Sequence, residues 1–189
     1  MLTVETEAGL VARAQKGDRR AYGELVQRYQ AGVVNVVYHM CSDAQLAQDA
    51  AQEAFIQAWL HLPSYRPQSS LRNWLYRIAV NAALDAIRHQ RPQLPEEIES
   101  LELIDPHDNP EGTLVQKELA LQVQKAVQAL PDACRIVLVL REFEQLTYQD
   151  IAATLDIPIG TVMSRLNYAR DRLRLLLRTH AGQTEVNHE

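Results

Sequence analysis

The stretch PQLPEEIESLELIDPHDNPEG, from Pro92 to Gly112, decides how the rest of the chain can be arranged. It carries Pro92, Pro95, Pro106 and Pro110 among seven acidic side chains, with no lysine or arginine to offset them. Proline removes helix donors and the like charges repel, so this segment cannot enter a packed core and reads as an acidic linker. Fully extended, it could reach roughly 65–70 Å. A 189-residue chain interrupted in this way must build two small cores. The expected division is residues 1–91, linker 92–112, residues 113–180 and a disordered tail over 181–189.

Both flanks show helical periodicity and neither shows a convincing alternating strand, so the fold class is all-α. A short helix is expected over about Glu7 to Lys16, ended by Gly17. Asp18 is placed to cap the next, which turns Tyr22, Leu25, Val26, Tyr29, Val33, Val36 and Val37 inward. Ser42 with Gln45 has the pattern of a capping box opening a helix through about Leu62. Pro63 and Pro67 bracket a loop, LPSYRPQSS. Ser69 or Ser70 then caps a helix from Leu71 to about His89, with Trp74 on its apolar side. Beyond the linker, Thr113 with Gln116 opens one helix and Pro131 precedes a second. Thr147 with Asp150 caps a third from Tyr148 to Leu155, and the fourth runs from Ile159 or Gly160 to near Thr179.

The net charge of −5 would ordinarily argue against nucleic acid as a partner. Its distribution reverses that argument. The acidity is concentrated in the linker, whereas Thr161 to Arg178 holds five arginines against Asp171. Cys41 and Cys134 are distant in sequence and form no CxxC, which suggests two reduced thiols rather than a disulfide or zinc site. No metal or cofactor site is expected. No apolar run approaches the ~18 residues of a membrane span, and no export signal opens the chain, so a cytoplasmic protein without membrane insertion is expected.

The segment TYQDIAATLDIPIGTVMSRLNYARDRLRLLL, from Thr147 to Leu177, carries the clearest functional pattern. On a helical wheel Val162, Leu166, Ala169 and Leu173 fall in one core sector. Thr161, Ser164, Asn167 and Tyr168 lie opposite, flanked by Arg165 and Arg172 on one side and Met163 and Arg170 on the other. Short polar and aromatic groups between guanidinium flanks suit a helix lying in a DNA groove, with base edges at the centre and phosphates at the walls. The three-residue turn Asp156-Ile157-Pro158 before it fits a helix-turn-helix. A plain helical hairpin with a solvated arginine face is the competing reading of these residues alone.

The string QDAAQEAFIQAWLHLPSYRPQSSLRNWLYRIAVNAALDAIRHQRP closely resembles conserved region 2 of bacterial sigma factors, and TYQDIAATLDIPIGTVMSRLNYARDRL resembles their region 4.2. Order, spacing and the lack of a folded middle domain resemble the extracytoplasmic-function (ECF) group, over about Leu10 to Leu177. The resemblance implies a non-enzymatic subunit that binds core RNA polymerase and reads the −35 and −10 elements of promoter DNA. It also implies an anti-sigma factor as partner. By position, Asp49, Gln52 and Glu53 match the motif that grips the clamp helices of the polymerase's largest subunit. Asp49 and Glu53 stand i,i+4 on one helix face, a repulsive pair better suited to a basic partner than to an isolated helix.

The loop from Pro63 to Ser70 matches the family's −10 loop, which captures a flipped-out base. Tyr65, Arg66, Ser69 and Ser70 offer stacking and hydrogen bonds to such a base. On the following helix Asn81 could read a base edge, while Arg72, Arg77 and Arg88 could hold phosphates. The linker also resembles the family segment that threads toward the polymerase active-site cleft, and a merely solubilising tether is the competing reading of its composition. Two positions depart from the family: position 163 is often basic and is Met here, and position 168 is often Arg and is Tyr. The −35 sequence therefore does not follow from the family pattern. A conventional helix-turn-helix regulator is the alternative, and it would leave Asp49, Glu53 and the loop without a role.

Overall fold

A computed structural model of the chain describes residues 5–67, 69–90 and 114–184, and every regular element among them is helical. In chain order these are α1 (Glu7–Ala14), α2 (Arg19–Cys41), α3 (Ala44–His61), a 3₁₀ turn at Leu62–Ser64, α4 (Leu71–Gln90), α5 (Leu114–Gln128), α6 (Asp132–Glu142), α7 (Tyr148–Leu155) and α8 (Ile159–Thr184). The expected linker, the cap at Thr113 and residues 185–189 lie outside the described residues.

Local capping chemistry sets most of the helix starts. Asp18 accepts from the backbone N–H groups of Arg20 and Ala21 at 2.9 and 3.2 Å, satisfying donors that α2 would otherwise leave open. The hydrogen bond from Arg13 holds the Asp18 carboxyl below the usual carboxylate range. Ser70 Oγ accepts from Asn73 N at 3.2 Å and opens α4. Thr147 Oγ1 accepts from Asp150 N at 3.1 Å and opens α7. One expected cap is displaced. Ser42 does not open α3; it ends α2 in the left-handed region at φ 57°, and Asp43 accepts from Leu46 N at 2.8 Å instead. Because α2 continues to Cys41, Ser42 is taken up by the chain reversal and the next residue inherits the cap. The last helix also runs further than expected, to Thr184.

Helices α1 to α4 enclose a first core containing Leu10, Leu25, Val33, Val36, Val37, Met40, Leu62 and Leu75. The inner side of α3 is built from alanines at 47, 50, 51, 54 and 58, all buried. With only methyl groups between backbones, α3 can lie close against α2 and α4. In the second unit α6 buries Ile136 to Leu140, against Ile151 of α7 and Val162, Leu166 and Ala169 of α8. Leu173, expected in the same core sector, is only partly buried.

The two units are packed on each other. Helices α5 and α6 lie against α2, and α7 lies against α4. His39 stacks on Phe143 with ring centroids 3.6 Å apart. Arg135, 5% exposed, donates to the carbonyls of Met40, Val127, Gln128 and Leu130 at 2.7–3.2 Å. Those carbonyls lie at the C-terminal ends of α2 and α5, where the helix dipole favours a cation. Burial raises the Cys41 thiol to about 12, so it stays protonated at neutral pH.

Candidate nucleic-acid interface

The outer side of α3 follows from its inner one. With the alanines turned inward, Asp49, Gln52 and Glu53 are exposed together on the opposite face. Gln45 donates to Asp49 Oδ1 at 3.1 Å and Gln57 donates to Glu53 Oε1 at 2.7 Å, each from i,i+4 along the helix. These bonds hold the carboxylates without neutralising them. Ile56 and Leu60 continue the same stripe and are 47% and 62% exposed.

The loop between α3 and α4 is held through its backbone carbonyls. Gln15 Nε2 donates to the carbonyls of Leu62 and Tyr65 at 3.1 and 3.0 Å. Tyr65 is buried, donates its hydroxyl to Ser69 O at 2.8 Å, and packs its ring 5.0 Å from that of Trp74. It therefore shapes the loop from inside and offers no open ring to a base in this arrangement. Arg66 is exposed but folds back on the carbonyls of Pro63 and Tyr65 at 3.2 and 3.0 Å. Ser70 is exposed and Ser69 half-buried.

Along α4 the expected phosphate ligands differ in their surroundings. Asn81 and Arg88 are exposed, and Arg88 pairs with Asp85 at 3.1 Å. Arg77 is exposed 3.7 Å from Asp156 of the second unit. Arg72 donates to the backbone oxygen of Glu144 at 2.6 Å and to its Oε2 at 3.3 Å. Tyr76 and Asn73 are buried by the same contact. Burial, with the Glu144 hydrogen bond adding to it, pushes the Tyr76 phenol up to about 12.

Helix α8 presents its polar side outward. Met163, Ser164, Asn167, Tyr168 and Arg172 are exposed, and Thr161 and Arg165 are half-buried. Ser164 donates its hydroxyl to Thr161 O at 3.0 Å, an intrahelical bond a base edge could displace. Arg170 is drawn off the face, donating to Glu142 Oε1 of α6 at 2.8 Å. Exposed Ile159 and Met163 stand i,i+4 near the start of α8 and widen its apolar contribution. Sequence reasoning missed Asn35, Asn73 and Glu144, because each acquires its role through a residue more than sixty positions away.

The last helix carries a clear prediction. If α8 lies in a DNA groove, Tyr168→Arg and Met163→Arg should change sequence preference, whereas Arg172→Ala should weaken binding evenly across sequences. A lost base contact costs ~1–3 kcal/mol at one position, and a lost phosphate contact lowers the salt slope by about one. Selection from a randomised duplex pool with each variant is the measurement. Identical profiles for wild type and Tyr168→Arg would place Tyr168 outside the readout.

A helix-turn-helix with an open polar face, joined to a helical unit that presents carboxylates and a self-braced loop, defines a two-domain DNA-binding transcription factor. Residues 25–93 match the family model for Sigma-70 region 2, and residues 120–173 match that for Sigma-70, region 4. The chain is 40% identical over 182 residues to the RNA polymerase sigma-H factor of Pseudomonas aeruginosa, covering 92% of this chain and 94% of that protein. It is 38% identical over 177 residues to the ECF RNA polymerase sigma-E factor of Escherichia coli K12, covering 89% and 92%. Among solved structures, CnrH in complex with the cytosolic domain of CnrY is similar with a TM-score of 0.69 and 26% identity, over 90% of this chain and 96% of that one. The sigma factor RpoE of Bartonella quintana, in complex with the anti-sigma factor NepR, gives 0.67 and 25%, over 83% and 96%. The chain belongs to the sigma-70 family of RNA polymerase sigma factors, in its ECF group.

Proposed function

We propose that this chain divides the work of an alternative sigma factor among three surfaces. It binds core RNA polymerase and directs promoter-specific initiation, with the outer face of α3 docking on the polymerase through Asp49, Gln52 and Glu53. The loop from Pro63 to Ser70, with Asn81, Arg77, Arg72 and Arg88 on α4, reads and holds the −10 element. Helix α8 reads the −35 element through Thr161, Met163, Ser164, Asn167 and Tyr168, with Arg165, Arg172 and Arg170 on its flanks. The acidic segment 92–112 joins the two readers. The protein performs no chemistry of its own: it positions DNA and polymerase, and its place of work is the cytoplasm. Among the described residues no helix is long and apolar enough to cross a membrane. An anti-sigma factor that covers the docking or DNA-reading faces is the expected inhibitor.

The observation that carries this reading is the coexistence of both sigma-70 regions in one chain with the carboxylate stripe of α3 facing outward. A conventional regulator gains nothing from that stripe. Run-off transcription with purified core polymerase on a panel of promoter templates tests it. The chain should convert a core enzyme that starts nowhere in particular into one that starts at a defined set of sites. Operator binding with no effect on polymerase start sites would favour the regulator instead.

A further inference from the structure

Gln15 closes α1 at its C-terminal end, and neighbouring residues fix its place. Leu10 and Ala14 are buried and seat α1 on α2. Gly17, at φ 91°, turns the chain between the two helices. Arg13 staples that turn, donating from Nε and Nη2 to Asp18 Oδ2 at 2.9 and 2.6 Å, while Asp18 caps α2. Gln15 therefore stands in a braced corner, half-buried, with its amide against the loop that precedes α4.

That amide serves two carbonyls at once from a single nitrogen, Leu62 O at 3.1 Å and Tyr65 O at 3.0 Å. Two carbonyl acceptors settle which end of the amide faces them, because only the NH₂ can donate. The same carbonyls bound the 3₁₀ turn Leu62–Ser64, which the Tyr65 N–H closes onto Leu62 O at 3.0 Å. One side chain thus grips both ends of the turn from which Arg66, Ser69 and Ser70 are carried. The Tyr65 hydroxyl, donating to Ser69 O at 2.8 Å, ties the far side of the loop to that root. A loop held in this way meets DNA with its shape already set, so its ordering takes nothing from binding. Gln15 stands before residues 25–93, the part of the chain that matches the Sigma-70 region 2 model, and the brace comes from beyond that match.

We propose that Gln15 is a positioning residue for base selection: without touching DNA, it orients the loop and so sets which base of the −10 element is preferred. The inference rests on the loop being the −10 reader. Loss of the brace frees the loop to take other orientations. That relaxes the choice between bases more than it weakens binding, since the phosphate ligands on α4 are untouched.

Two variants of the full chain test the brace. Gln15→Met removes both donors in a side chain of similar length without charge. The fold should survive, because Leu62 O still accepts from Tyr65 N and Tyr65 O from Arg66 Nη1, each at 3.0 Å. Gln15→Glu removes the same donors and adds a charge. Each chain is assembled with core polymerase and transcribes a template pool with the −35 element fixed and the −10 element randomised. Sequenced transcripts give the base preference. Both variants should lower the ratio between best and worst base at one −10 position by about fivefold or more, the scale of discrimination at a single base pair. Preference in a pool randomised at −35 should stay that of wild type, as should the circular-dichroism melt to within a few degrees. An unchanged −10 profile for Gln15→Met would overturn the proposal. So would a change confined to Gln15→Glu, which would make the effect one of charge. An equal drop in output on every template, with a lowered melt, would leave Gln15 a stabilising residue only and overturn its role in selection. The double variant Arg66→Ala, Ser69→Ala separates the brace from the reading beneath it. A −10 profile unmoved by that pair would strike the loop as the reader and the inference with it. A profile moved by the pair but not by Gln15→Met would strike the brace alone.

Discussion

Glu53→Lys should weaken association with core RNA polymerase by about thirtyfold or more while leaving the fold of the protein intact. The side chain is exposed on α3 and its hydrogen bond, from Gln57, is local to the helix. An exposed substitution of this kind changes stability by no more than about 0.5 kcal/mol. The new lysine would stand i,i+4 after Asp49, converting a repulsive pair into an attractive one, so α3 gives up only the local bond from Gln57. At the proposed docking face the sign is opposite. A reversed charge against a basic partner loses the pair and adds repulsion, commonly ~2–5 kcal/mol where the pair is desolvated. At about 1.4 kcal/mol per tenfold, that is roughly a thirtyfold to several-thousandfold loss of affinity. A binding titration against core polymerase, beside a thermal melt and a run-off assay, measures all three consequences. A folded variant with undiminished affinity and full run-off would remove Glu53 from the docking face. The same result for Asp49 and Gln52 would return the regulator reading to the lead.

The second large effect concerns stability. Arg135→Met should melt the helix-turn-helix unit at a temperature lower by on the order of 15 °C or more. The methionine fills similar space without a donor, and four carbonyls at the ends of α2 and α5 lose their common partner. Stranding buried acceptors beside a lost charge costs about 3–5 kcal/mol. A unit of this size has a total stability of the same order. Arg135→Lys should fall between the two, since a lysine keeps the charge but cannot serve several carbonyls with a planar fork. Calorimetry on the full chain, with −35 duplex binding as a second readout, checks it. An unchanged melt for Arg135→Met would show that water replaces the guanidinium without loss.

The reach of the sequence differs between these two residues. The outward position of Asp49 and Glu53 follows from the alanine periodicity of α3, which is local and written into consecutive residues. The caps at Asp18, Ser70 and Thr147 are legible for the same reason, because each partner lies two or three positions away. Ser42 misleads through a local ambiguity: the same SDAQ string can be read with either of two adjacent caps, and only the length of α2 decides between them. Long side chains are harder. Arg66 looks like a loop ligand for an unpaired base and Arg170 like a phosphate ligand on the wheel, yet one folds onto loop carbonyls and the other crosses to Glu142. Tyr65 looks like a stacking platform, and packing against Trp74 buries it. Nothing in REFEQLT marks Glu144 as a residue that enters another domain, since the notch it enters is formed by Gly32 and Tyr76 far up the chain.

The alanine face of α3 has a consequence for how such a protein can change over generations. Residues 47, 50, 51, 54 and 58 are buried where α3 packs on α2 and α4, and overpacking such positions with larger side chains is destabilising. Inheritance of this helix is therefore split lengthwise into a frozen half and a free half. On the docking role proposed for that face, a lineage can rewrite the outer half, one residue at a time, to follow drift in the polymerase, without re-solving the core beneath. A partner change that demanded a different tilt of α3 would have no single-step route, so adaptation to a new polymerase proceeds by altered side chains on a fixed rail.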